Sequence, residues 1–128
     1  MPGSILGTSV RRVEDRDLLT GASTFVGNLQ LPDVAHLVFV RSPFAHAVIT
    51  GIDTSAAAAA PGVLGVFTAA DLNLPAHHGL MVVNESMPRP PLATDRVRFV
   101  GEAVAVVAAE TLAAAVDAAE LVEVDYDP

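Results

Sequence analysis

The side chains able to do chemistry are few, and most lie far apart. His77 and His78 stand side by side ahead of Gly79. In any regular element such neighbours point in different directions, and no carboxylate or third histidine is close in sequence. A divalent-metal site needs three or four converging ligands, so the pair reads as a loop feature. Ser42, His46 and Asp53 supply the side-chain types of a hydrolase triad, in which a base takes the proton of a nucleophilic hydroxyl. Their local spacing fits a helix cap, a turn and a second cap better, and nothing around Ser42 resembles a strained nucleophile elbow. His36 lies in an apolar run and reads as a core or interface side chain. Gly101-Glu102 heads another apolar run. It could set a carboxylate in a cleft, although such a pair more commonly marks a bulge or a close backbone approach. Glu14 and Asp15 beside Arg11, Arg12 and Arg16 read as local ion pairs, which contribute little when exposed. Asn84-Glu85-Ser86 matches a glycosylation acceptor, a pattern with meaning only in a secreted chain. No glycine-rich phosphate loop occurs in the sequence. Composition and spacing therefore assign no catalytic residue, no cofactor-binding residue and no metal ligand.

The elements that would position these groups are organised around residues 96–127. Ala103–Ala109 is unbroken apolar and rich in valine, the pattern of a central strand covered on both faces. Thr111 offers an N-cap hydroxyl, and Leu112, Ala115, Val116, Ala119 and Val122 share one helical face. Val122, Val124 and Tyr126 then alternate with acids, as in a half-exposed strand. Upstream, residues 1–33 are expected to form an irregular arm punctuated by Gly and Pro, packed on a neighbouring surface. Val34–Arg41 predicts a strand. Ser42-Pro43 predicts a cap followed by one helical turn over Phe44–Ala47. Val48–Ile52 returns as a strand, Ala56–Ala60 as a short helix closed by Pro61-Gly62, and Val63–Phe67 as a further strand. Thr68-Ala-Ala-Asp71 resembles a capping box. Residues 73–95 form a long proline-rich connection, of a size that is usually functional or covers a partner. The whole predicts one α+β domain over residues 1–128, with a mixed sheet, short helices and a terminal strand-helix-strand unit.

Composition narrows the function. The chain has 128 residues, enough for one core, and no cysteine, which excludes a disulfide framework and a cysteine-held iron–sulfur cluster in this stretch. Its net charge is −8, and all seven basic residues are Arg. That argues against a nucleic-acid backbone or an anionic membrane as partner. No run approaches the roughly 18 apolar residues of a membrane span, and the N-terminus lacks a secretory signal pattern, so a cytoplasmic location is expected. Arginine without lysine, with abundant alanine, points to a GC-rich bacterial genome.

Four blocks in order resemble a known family. They are Ser9–Asp15 with Leu19-Thr-Gly21; Phe39-Val-Arg-Ser-Pro-Phe-Ala-His-Ala47; Ile52–Ala56 leading to Pro61-Gly-Val63 and Thr68–Leu72; and Arg89–Ala93 with Val97–Glu102, Val104–Val107, Ala109–Thr111 and Val122–Tyr126. The set is similar to the N-terminal hammerhead domain of the large, molybdenum-binding subunit of the molybdenum hydroxylases. These include xanthine dehydrogenase, aldehyde oxidase and carbon monoxide dehydrogenase. The chain departs from the pattern at Gly27-Asn28, where the family commonly has two aspartates. Asp33 replaces a usual Gly, and Phe44 replaces a frequent polar residue.

The resemblance implies an α/β-hammerhead within an oxidoreductase that hydroxylates aldehydes, purines or related substrates with water as oxygen source, or that oxidises CO. It implies molybdopterin bound by later parts of the large subunit, with [2Fe-2S] clusters and FAD on companion domains or subunits. The motifs for the cofactor and the catalytic glutamate lie beyond position 128, so no such residue is carried over, and this segment alone is expected to be inert. Its expected partners are the remaining domains of the large subunit, the iron–sulfur and FAD subunits, and a second copy in a homo-oligomer. The abrupt Tyr126-Asp-Pro128 end fits a chain that continues. The alternative is a free-standing interaction or small-molecule-binding module with the same fold.

Overall fold

β-Branched residues packed without a polar break make residues 103–109 the best strand former in the chain, and the computed structural model places them at the centre of a sheet. The structure describes residues 7, 9–29, 31–82 and 84–128, and its contacts divide the chain into two units, residues 1–33 and 34–128. In the first unit, a helix α1 spans Asp15–Thr20 and a 3-10 turn spans Val26–Asn28, so the segment is less irregular than expected. Gly21 ends α1 at φ 71°, the left-handed conformation that glycine adopts freely. Asn28 accepts the Phe25 N–H at 2.6 Å and closes the 3-10 turn. No residue of α1 is buried, and among the described residues Glu14 and Asp15 form no salt bridge with Arg11, Arg12 or Arg16.

The second unit contains strands β1 (His36–Arg41), β2 (Ala47–Asp53), β3 (Val63–Thr68), β4 (Arg96–Val97), β5 (Ala103–Ala109) and β6 (Glu123–Asp127). Its helices are α2 (Ser55–Ala58), α3 (Ala69–Leu72) and α4 (Leu112–Ala119). The strands form two sheets of three, β1-β5-β3 and β4-β2-β6, and every pairing is antiparallel. The expected α+β class holds, while the expected mixed sheet is replaced by two antiparallel sheets. The strand-helix-strand unit is present, but α4 hands the chain from one sheet to the other. A parallel partnership between β5 and β6, the usual result of a helical crossover within one sheet, never forms.

Helix capping follows the sequence closely. Thr111 Oγ1 accepts the Ala114 N–H at 3.1 Å, and Asp71 Oδ2 accepts both the Thr68 N–H at 2.7 Å and its hydroxyl at 2.6 Å. The Ser42-Pro43 cap does not open a helix. Ser42 is buried, and its hydroxyl accepts the Phe44 N–H at 3.0 Å and lies 3.1 Å from the Phe44 carbonyl, which ties a bend instead.

Two cores result. Ala57, Ala105, Val107, Ala118 and Val122 form one beneath α4, and Ala47, Ala93, Val97 and Val104 form the other; Ile52 and Val124 pack against both. The buried stripe of α4 is Ala115 and Ala118, while Leu112 and Val116 remain 56% and 42% exposed. The helix lies close enough to the sheet that methyl groups fill the space, which turns its largest apolar residues aside. The proline-rich segment forms one isolated bridge, His77 to Arg89, and buries Leu92 and Ala93. Among the described residues, no helix is long and apolar enough to cross a membrane.

Candidate functional site

The residues singled out for their chemistry do not come together. Ser42 engages the backbone of Phe44, and Asp53 Oδ1 accepts the Ser55 N–H at 2.8 Å; hydrogen bonding from the Ser55 hydroxyl, and then from this N–H, lowers the Asp53 pKa, and neither Ser42 nor Asp53 bonds to His46 among the described residues. The backbone of His77 pairs with Arg89, whereas the ring of His78 lies 3.0 Å from the Glu85 carbonyl. No three His, Asp or Glu side chains converge on a point where a metal could sit, among the described residues. His36 is exposed on the edge strand β1 and is not a core residue. The Asn84 side-chain Oδ1 accepts from Ser86 N and Oγ at 2.9 and 2.7 Å, a local turn.

Gly101-Glu102 behaves as both sequence readings allowed. The β1–β5 register shifts between Val40 and Arg41, and Gly101 adopts φ 89°. Its N–H donates to the Ser42 carbonyl at 2.8 Å, and the Ser42 N–H donates to the Glu102 carbonyl at 2.9 Å, so the start of β5 is knitted to the end of β1. The Glu102 side chain is buried, accepts the Arg98 N–H, and lies 4.0 Å from the Arg98 guanidinium. Asp95 accepts from Arg96 Nε at 2.9 Å and meets Arg98 at 3.4 Å; the Arg96 hydrogen bond is the main reason its pKa is lowered to about 2.

Beside this knot lies an open cleft of about 280 Å³, lined in part by Phe39, Arg41, His77, Arg89, Phe99 and Glu102. The Arg41 guanidinium lies 5.6 Å from the centre of the Phe39 ring, and that of Arg89 lies 6.0 Å from the centre of the Phe99 ring. Arg41 also donates to the Gly101 carbonyl at 2.8 Å. Neither Arg41 nor Arg89 has a carboxylate within 4.0 Å among the described residues, whereas Arg96 and Arg98 both do. Reading residue by residue missed this pairing, because Arg41 and Arg89 are 48 positions apart in the sequence. Both do lie inside the blocks that carry the family resemblance.

The cleft runs onto a broader surface. Leu37, Phe39 and Phe67 project from β1 and β3 on the side of the sheet away from α4, and remain 58%, 43% and 37% exposed. Between them Val106 and Ala108 of β5 are nearly covered, while Val38, Val40 and Val66 turn towards the core. One face of the β1-β5-β3 sheet is therefore apolar and open, a property that marks contact surfaces.

Comparison with known proteins agrees with this description. The family model for the aldehyde oxidase and xanthine dehydrogenase a/b hammerhead domain matches residues 20–128. The chain is 44% identical to the nicotine 6-hydroxylase large subunit of Paenarthrobacter nicotinovorans, over 97% of this chain and 16% of that protein. It is 43% identical to the carbon monoxide dehydrogenase large chain of Afipia carboxidovorans, over 96% of this chain and 15% of that one. Among solved structures, quinoline 2-oxidoreductase from Pseudomonas putida 86 superposes with a TM-score of 0.87 at 43% identity, covering 97% of this chain and 16% of that one. The chain thus spans about one sixth of the length of the relatives it matches, and its fold is the hammerhead that the sequence blocks implied.

Proposed function

Because the chain belongs to the aldehyde oxidase and xanthine dehydrogenase a/b hammerhead family, we propose that it serves as a scaffold within the large subunit of a molybdenum hydroxylase. The observation that carries this reading is the match itself: 44% identity over 97% of the chain, to 16% of a large subunit. A match that covers nearly all of this chain and about a sixth of the relative is what one domain of a longer subunit gives. We take residues 1–128 as one hammerhead domain led by the arm of residues 1–33. The whole enzyme is an oxidoreductase that hydroxylates an aldehyde, purine or related substrate with oxygen from water, or that oxidises CO. Its setting is bacterial and cytoplasmic, and its assembly contains iron–sulfur and FAD subunits or domains in a homo-oligomer.

The residues present do not fit the redox groups of such an enzyme. There is no cysteine to hold a [2Fe-2S] cluster, and no set of three His, Asp or Glu converges among the described residues. The Arg41–Arg89 cleft, at about 280 Å³, is below the roughly 300–1,000 Å³ of typical small-molecule sites, and the clefts beside Phe25 and His78, at about 470 and 340 Å³, bring no set of three His, Asp or Glu together among the described residues. We therefore assign the molybdopterin to later parts of the large subunit and the clusters and FAD to its companions.

The test is to purify residues 1–128 and the full large subunit in parallel, measure molybdenum, and assay both with an artificial electron acceptor. Aldehydes, purines, N-heterocycles and CO serve as substrates. Molybdenum and turnover are expected only with the full chain and its partners. Turnover by residues 1–128 alone would overturn the scaffold reading.

A further inference from the structure

We infer that the Arg41–Arg89 cleft is the docking seat for an acidic segment from the rest of the large-subunit chain. In this arrangement an Asp or Glu side chain is held by both guanidiniums, and its apolar neighbours cover Phe39 and Phe99. The inference rests on the scaffold reading and specifies the surface through which the scaffold acts.

Charge is the first argument. Residues 34–128 are rich in acids and contain four arginines. Arg96 and Arg98 meet carboxylates of their own unit, but Arg41 and Arg89, which line one cleft, meet none within 4.0 Å among the described residues. A guanidinium carries five N–H donors, and Arg41 spends one on the Gly101 carbonyl. The remaining donors suit the forked geometry of a carboxylate. Glu102 also lines the cleft, but its oxygens are engaged by Arg98.

Shape and position are the second argument. The rings of Phe39 and Phe99 support the two guanidiniums at 5.6 and 6.0 Å. Arginine and aromatic side chains grouped at the centre of a patch are the usual anchors of a protein interface. Phe39 also belongs to the open apolar face with Leu37 and Phe67, so the cleft and the face form one continuous surface. The relatives supply chain enough to cover it, since this domain accounts for only 16% of the nicotine 6-hydroxylase large subunit.

Residues 1–128 contain no lysine, so a lysine introduced among them is the only one in this stretch. In the full large subunit, Arg89→Lys and, separately, Arg41→Lys place a lone amine in the cleft. A water-soluble carbodiimide then joins that amine to any carboxylate in contact with it, and the linked peptides are mapped by mass spectrometry. The expected product joins position 89 or 41 to an Asp or Glu beyond residue 128, with the link reduced at least tenfold in 1 M salt. A link only to carboxylates within residues 1–128, from the same or a second copy, overturns the inference. So does the absence of a link from both variants. Molybdenum is measured on the same preparations and on the unsubstituted full chain with its partners. A variant that carries molybdenum but gives no such link removes the docking seat and leaves the scaffold reading intact, whereas an unsubstituted full chain that binds no molybdenum removes the scaffold reading itself.

Discussion

The two faces of the β1-β5-β3 sheet should respond unequally to truncation. Val107 is fully buried beneath α4, paired with Val38 on one side and Val66 on the other. Val107→Ala removes two carbon groups, each worth about 0.8 kcal/mol on transfer, or about 1.6 kcal/mol together. A cavity that neighbouring alanines cannot fill raises the expected loss to about 2–3 kcal/mol. For a domain of this size that corresponds to a fall in melting temperature of about 10–20 °C. Leu37 lies on the opposite face and is already 58% exposed, so Leu37→Ala in residues 1–128 should cost about 0.5–1 kcal/mol. If the docking inference holds, the Leu37 face is covered in the full large subunit, and the same change should cost about 2 kcal/mol or more there. Urea unfolding followed by far-UV circular dichroism measures the short chain, and hydrogen exchange at residues 36–41 and 103–109 reports on the long one. A loss of 2 kcal/mol or more for Leu37→Ala in the short chain would show that this face already has a cover. A loss below about 0.5 kcal/mol in the long chain would show that nothing docks there.

Three further outcomes follow from local geometry. Asp95 has its folded pKa lowered to about 2 by Arg96, so it favours the folded state above the ordinary carboxylate range and loses that contribution as pH falls through the lowered value. Asp95→Asn should accordingly flatten the stability profile between about pH 4 and pH 2, measured as urea midpoint against pH. Thr111→Ala removes the N-cap of α4 and should cost about 1 kcal/mol in urea unfolding, with Thr111→Ser restoring most of it. Asp33 adopts φ 56°; Asp33→Val should therefore lose about 1–2 kcal/mol in thermal unfolding, and Asp33→Gly should lose none.

The sequence made most of the strands, the caps at Thr68 and Thr111, and the family legible, because each is written in neighbouring residues. The valines of β5, the Thr111 hydroxyl and the Thr68–Asp71 pair each act within a few positions of themselves. The division into two sheets was not legible, since it depends on whether β6 pairs with β2 or returns beside β5, and alternation of side chains is the same in either case. The inward face of α4 was misjudged because periodicity places large apolar residues inside, whereas the close approach of the helix admits only Ala115 and Ala118. Ser42-Pro43 reads as a helix start by type, yet burial of the serine makes a bend the better use of its hydroxyl. The Arg41–Arg89 cleft was invisible for a related reason: it joins the end of β1 to the proline-rich segment, which only the folded chain brings together.

The register that pairs His36 with Ala109 also governs how this protein is born. A ribosome adding about 5–20 residues per second needs roughly 4–14 seconds to make the intervening stretch, during which the nascent β1 has no central strand to join. Its Leu-Val-Phe-Val run is then an unpaired sticky edge, open to passing chains. Slow codons or a holding chaperone before residue 109 would prolong or guard that wait, so yield in a heterologous host should depend more on translation tempo and chaperone supply than on the final thermodynamic stability of the domain.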